Sequence, residues 1–205
     1  MVAGLAAPTL VALVVVSLLA GVGITAVGPG GVFVTAALYA LTGASPGTVA
    51  GTASATFVAT GILGSAAYLR SGELADGAER VAALLLSVAG LVGALVGVRL
   101  NALVSKRLFG LLLGTFLALT GVLVWYRTRA GGRTADSFDL SDARGRTVVT
   151  AIGFAVGVPS GLLGVGGPVV AVPLLVAAGV PMLVAVAVAQ VQSVFVAGFA
   201  TAGYL

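Results

Sequence analysis

Apolar residues run through this chain in long blocks instead of alternating with polar ones. From Ala6 to Ala20, Val81 to Val98 and Leu108 to Trp125 there is no acid, no base and no histidine. Such blocks approach the roughly 20 residues that a helix needs to cross hydrocarbon, whereas barrel strands would alternate apolar and polar positions. The pattern predicts an all-α polytopic membrane protein with a helix at 8–27, a half-helix at 32–42 and spans at 46–69, 81–100 and 108–126. A polar linker at 130–146 then leads to a helix at 148–163, a half-helix at 168–178 and a span at 182–205.

The two half-helices are too short to span. Eleven helical residues cover about 16 Å, half of a roughly 30 Å hydrocarbon core. Each half-helix follows a glycine cluster, Gly28-Pro29-Gly30-Gly31 in one case and Gly164-Val165-Gly166-Gly167-Pro168 in the other. Glycine inside a helix costs about 1 kcal/mol relative to alanine, and proline costs more, so both clusters should break or sharply bend the chain. Backbone freed at that depth has to be buried in protein or line a polar cavity.

Placing Gly28 on Gly164 is a shift of 164 − 28 = 136 positions, and the same shift pairs Gly21 with Gly157, Gly30 with Gly166, Gly31 with Gly167, Gly43 with Gly179 and Tyr68 with Tyr204. Identity over residues 21–69 is thirteen of 49 positions, with no gap. Two repeated halves, 1–129 and 147–205, are therefore predicted on either side of the linker. If each cluster turns a re-entrant hairpin, each half makes three net crossings and the repeats are inverted; if the helix breaks and continues, each makes four. The hairpin is the preferred reading. The second copy stops at Leu205, the partner of Leu69, without a counterpart of the 81–126 hairpin. Either the chain is a fragment or a partner chain completes it, a second copy in a homo-oligomer being one such partner.

Composition sharpens this picture. Of 205 residues 60% are hydrophobic and 8% charged, with a mean hydropathy of +1.21, where a soluble domain would be about 25% charged. The net charge of +4 does not point to nucleic acid, because the ten basic residues sit in short loops with no basic, aromatic-studded face. Seven arginines in the segments 70–80 and 127–146, against three basic residues at 99–107, predict that the first side is cytoplasmic. Residues 1–26 lack the basic start of a signal peptide and are too long an apolar run for one, so they read as a first membrane helix. With no cysteine and no histidine, neither a disulfide nor a zinc or haem site is expected, and no cofactor is predicted. No Asp, Glu, His or Lys lies inside a predicted span, so neither a carboxylate proton relay nor an intramembrane enzyme is expected.

A helix that starts inside the membrane presents unpaired N–H groups and about half a positive charge, an arrangement that binds anions. The clusters would supply bare backbone at Gly28, Gly30 and Gly31 and at Gly164, Gly166 and Gly167. The shift of 136 also pairs Ser54 with Gln190 and Thr56 with Gln192, with Ser193 beside them. Gln190 and Gln192 are about 200° apart on a helix, so Gln190 and Ser193 can point the same way while Gln192 meets another helix. These eleven residues are the candidate substrate site, and paired discontinuous helices in two related halves are a pointer to a transporter. Plain GxxxG-type helix packing is the bland alternative for the glycines. Two other functions stay open: a non-transporting membrane subunit that binds a partner protein, and a carrier of a cation or neutral solute.

The chain also resembles the sulfite exporter TauE/SafE family, whose members are also called toluene sulfonate uptake permeases. The resemblance rests on the duplicated glycine cluster, on Gly164-Val165-Gly166-Gly167-Pro168 followed by Pro173, on Ser54 and the Tyr68-Leu69-Arg70-Ser71-Gly72 region, and on Gly93 to Leu100 with Leu108-Phe109-Gly110. It implies a multi-pass protein of the inner or plasma membrane, with about eight spans in two halves, that exports or takes up sulfite, sulfonates or related sulfur-containing anions. Two departures stand out. Ala37 occupies the place that Pro173 holds in the second copy, and the last two spans of the family pattern are not in the sequence.

Overall fold

The structure, a computed structural model, describes residues 5–26, 29–129, 140 and 142–205. Its described residues form eight α-helices and one 3₁₀ turn: α1 (Ala7–Ala26), the turn Pro29–Gly31, α2 (Val32–Thr42), α3 (Pro46–Ser71), α4 (Gly77–Asn101), α5 (Lys106–Arg129), α6 (Ala143–Leu163), α7 (Pro168–Ala177) and α8 (Met182–Tyr204). Six of them are long and apolar enough to cross a membrane, and α2 and α7 are short apolar helices. Most of the linker, residues 130–139 and 141, lies outside the described residues, and α6 takes in its end from Ala143.

Local chemistry fixes several ends. Ser45 caps α3, its hydroxyl accepting from Thr48 N at 3.2 Å, and Pro46 fills the first helical position, where a missing N–H is harmless. Gly72 closes α3 in the left-handed region at φ 91°, donating its N–H to Tyr68 O. Asp142 caps α6 by accepting from Gly145 N.

Side-chain contacts give the helix directions. A methyl group added at Gly90 would meet Gln192 and Val196 of α8, and Gly203 near the end of α8 lies against Val98, so α4 and α8 run parallel. Gly93 of α4 lies against Phe154 and Gly157, and Gly97 against Val158 and Gly161, so α6 runs the same way. The α4–α6 seam is glycine against backbone, since a methyl group at Gly153 would sit 2.6 Å from Leu86 O and one at Gly93 2.5 Å from Phe154 O. Close approach of backbones is what joins helices in lipid, where hydrocarbon gives apolar side chains no reason to prefer one another. In contrast, α3 is antiparallel to α8, because Gly51 lies against Tyr204 while Gly64 lies against Gln190.

The short helices run in opposite senses. The end of α2 reaches the Ala102–Ser105 turn, where Tyr39 Oη donates to Lys106 O at 3.2 Å and Lys106 Nζ donates to Gly43 O at 2.7 Å. The end of α7 reaches the other face, where Ala171, Val172 and Leu175 share a core with Leu74, Ala82, Ala83 and Val149. Their first turns lie between these faces.

The outer surface is hydrocarbon. On α1, Val11, Val14, Leu18, Leu19 and Val22 are each more than half exposed, and Leu111, Leu119 and Val122 do the same on α5. A continuous apolar surface of that extent is unsuited to water and suited to lipid. The protein is an all-α polytopic membrane protein.

Candidate functional site

At the second glycine cluster α6 stops within the protein. Gly164 takes φ 64°, ψ 41°, and a methyl group there would lie 2.6 Å from Ala50 Cα, so both the backbone conformation and the lack of space call for glycine. The last four carbonyls of a helix have no partner within it and need one when no water is near. Three of them find partners, one in the helix's own cap residue and two on other helices. Ser160 O accepts from Gly164 N at 2.9 Å, Gly161 O from Tyr204 Oη at 2.5 Å, and Leu162 O from Asn101 Nδ2 at 2.7 Å. The carbonyl of Gly164 itself accepts from the Thr35 hydroxyl, in the first turns of α2. That bond ties the start of one half-helix to the break before the other.

The chain then passes inward through Val165 and Gly166 to the start of α7. Gly167 precedes the helix with helical backbone, φ −59°, ψ −46°, and no side chain caps it. Pro168 follows as the first helical residue. Gly31 stands before α2 in the same way, at φ −62°, ψ −31° and without a side-chain cap.

Both starts meet the same ring. A methyl group at Gly31 would lie 2.9 Å from Phe57 Cε1, and one at Gly166 3.2 Å from Phe57 Cδ2. Phe57 is buried in α3 and stands between the two half-helix starts. Before α2 the chain folds back on α1, for a methyl group at Gly30 would lie 2.6 Å from Ile24 N and 2.7 Å from Ala20 O.

The glutamines of α8 serve different breaks. Gln190 Nε2 donates to Ile24 O, near the end of α1, at 3.1 Å, and its other amide atom lies against Gly64 without a hydrogen-bond partner. Gln192 reaches the opposite way. Its Nε2 lies against Gly90 of α4, its Oε1 would be 2.8 Å from a methyl group at Gly167, and neither atom has a partner although the residue is 0% exposed. An unpaired buried amide is costly, so one pressed against an uncapped helix start marks a place where a ligand can complete the bonding.

Of the candidate residues, Gly30, Gly31, Gly164, Gly166, Gly167, Gln190 and Gln192 line the two breaks. Ser54 and Ser193 are buried in α3 and α8. Thr56 is exposed on the outer side of α3 and donates to Ala53 O of its own helix at 2.7 Å. Gly28 lies outside the described residues. Thr35, Phe57, Asn101 and Ser160 build the walls of the breaks, and none of them was marked by the glycine pattern; Ser160 Oγ is buried without a partner one turn before Gly164. For Phe57 a signal existed, as the single aromatic ring among small and hydroxylated residues in the body of α3.

Electrostatically the site is bare. Neither residues 1–69 nor residues 147–205 include an acidic, basic or histidine residue, so the two half-helices and α8 carry no formal charge. Among the described residues no cluster of acidic side chains could hold a metal ion.

No curated protein and no solved structure matches the chain. The sequence profile described as sulfite exporter TauE/SafE matches residues 12–205, nearly the whole length. The broken helices, the lipid-facing surface and this match agree, and the chain belongs to the sulfite exporter TauE/SafE family, a family of membrane transporters.

Proposed function

We propose that the protein carries a small oxyanion, sulfur-containing as the family suggests, and that the anion binds where α2 and α7 begin. The carrying observation is Gln192. Its fully buried, unpartnered amide is packed on Gly167 at the uncapped start of α7, where free N–H groups and the positive end of the helix dipole already favour negative charge. Gly31 and Gly166 bring backbone up to the two sides of the Phe57 ring beside the same place.

The opposite senses of α2 and α7 support an inverted relation between α1–α3 and α6–α8 on either side of Phe57. Gly31 and Gly167 have nearly the same backbone angles, and Gly43 and Gly179, at the ends of the half-helices, are both left-handed at φ 65° and 102°. In this reading the fixed site is reached from each face in turn as the two units rock about it.

Flux into proteoliposomes tests the proposal. Sulfite or a small sulfonate is expected to be carried at a saturable rate that Gln192→Met lowers at least tenfold. A panel of sulfite, thiosulfate, sulfonates and carboxylates that leaves flux at the level of empty liposomes would overturn it.

A further inference from the structure

The charge of the bound species follows from what surrounds the half-helix starts. Residues 1–69 and 147–205 lack charged side chains, and on α4 and α5 the basic residues Arg80, Arg99, Lys106, Arg107, Arg127 and Arg129 all lie in the first or last turns, away from the half-helix starts. The helix starts are then the main source of positive potential, and each is equivalent to about half an elementary charge. Two of them, facing one another across Phe57, supply about one.

We propose that the site selects monoanions and rejects dianions: a compact oxyanion with one negative charge, such as a sulfonate or hydrogen sulfite, in preference to sulfate or doubly charged sulfite. This rests on the oxyanion reading above. In a buried site a single charge is balanced by the two dipoles, whereas a second would remain uncompensated in a medium where unpaired charge is expensive. Gln192 fits the same demand, because it adds two N–H donors and no charge. Its amide can be turned end for end within the same space, which brings Nε2 to the start of α7.

Titration of the purified full chain with methanesulfonate and with sulfate at neutral pH separates the outcomes. The two ions share a tetrahedral sulfur and differ by one charge. Methanesulfonate is expected to bind at least tenfold more tightly. Sulfate binding equally well or better would overturn the charge inference and leave the oxyanion reading standing. Binding of neither ion, nor of hydrogen sulfite, would overturn both. The variant Gln192→Lys adds one positive charge at the same point and is expected to move the preference at least tenfold towards sulfate; an unchanged preference overturns the inference. Flux offers a second readout on the unmodified protein, since uptake should fall as rising pH converts hydrogen sulfite to its dianion, while methanesulfonate flux stays level.

Discussion

The two glycine clusters solve the same problem with unequal means. At the second, every residue from Leu163 to Val169 is buried, and side chains of Tyr204, Asn101 and Thr35 from three other helices satisfy the carbonyls around the break. At the first, among the described residues, Gln190 Nε2 reaches Ile24 O near the end of α1, and a groove of about 430 Å³ lined by Gly23, Gly30, Val32, Phe33, Leu117 and Gly121 opens beside it, between α1 and α5. The second break is therefore expected to act as the fixed anchor, and the first as the compliant partner. A carrier needs both, because a site held rigidly on all sides could not be opened alternately to the two faces.

Substitution of the cluster glycines tests that contrast most strongly. Gly164→Ala has to hold a β-carbon at φ 64° and push it into the backbone of Ala50, with no empty space to relax into. A loss of about 3 kcal/mol is expected from strain and overpacking together. Gly30→Ala also meets backbone, that of α1, but at a residue outside the left-handed region and beside the groove, so the turn can shift outward. About 1–2 kcal/mol is expected there. Thermal or denaturant unfolding in detergent checks the order; equal losses would remove the distinction between anchor and compliant partner. As a control, Gly121→Ala on α5 meets nothing within 4 Å and should change stability by less than about 0.5 kcal/mol.

The next effect is smaller and concerns the caps. Asn101→Leu leaves the part-buried Leu162 O without its donor, and Tyr204→Phe does the same to Gly161 O while keeping the ring against Gly47 and Gly51. Each should cost about 1–2 kcal/mol, towards the lower end of the penalty for an orphaned acceptor because these two are part-buried. Gln190→Leu loses one bond to Ile24 O but also removes an amide oxygen that has no partner, so its net cost should stay below about 1 kcal/mol. The same unfolding measurements compare the three, and a Gln190→Leu loss as large as that of Asn101→Leu would show that the first break is held as firmly as the second.

Much of this was legible in the sequence because the hydrophobic effect and backbone hydrogen bonding act on composition and length. Uncharged runs near 20 residues long admit only helices that cross lipid, and glycine clusters inside them mark broken ones. What escaped were contacts between elements far apart in the chain. Nothing in the local pattern distinguishes Asn101, at the polar end of α4, from a solvated loop residue, yet it caps α6 across 61 positions. Thr35 is one hydroxyl in an apolar half-helix, and its partner lies 129 positions away. Thr56 shows the limit of the repeat pattern: the shift pairs it with Gln192 as an equivalent position, but a hydroxyl on a helix can bond to its own preceding turn, and Thr56 does so while facing outward. The helical angle between Gln190 and Gln192 was readable and correctly sent them to different neighbours, though the partner of Gln190 is the end of α1 and a glycine of α3.

The smallest change in stability should come from the residue with the largest part in binding. Both amide atoms of Gln192 are buried and unpaired, so Gln192→Met, which keeps an unbranched side chain of similar length, removes an unsatisfied polar group and breaks no bond. Stability is expected to stay within about 0.5 kcal/mol or to rise, while methanesulfonate affinity falls at least tenfold, about 1.4 kcal/mol of binding free energy. The two readouts then move apart, as they do where a side chain is kept for a ligand at the expense of the fold. If instead the variant unfolds more easily and binds as before, Gln192 is a packing residue of the α4–α8 seam and the start of α7 is closed to substrate.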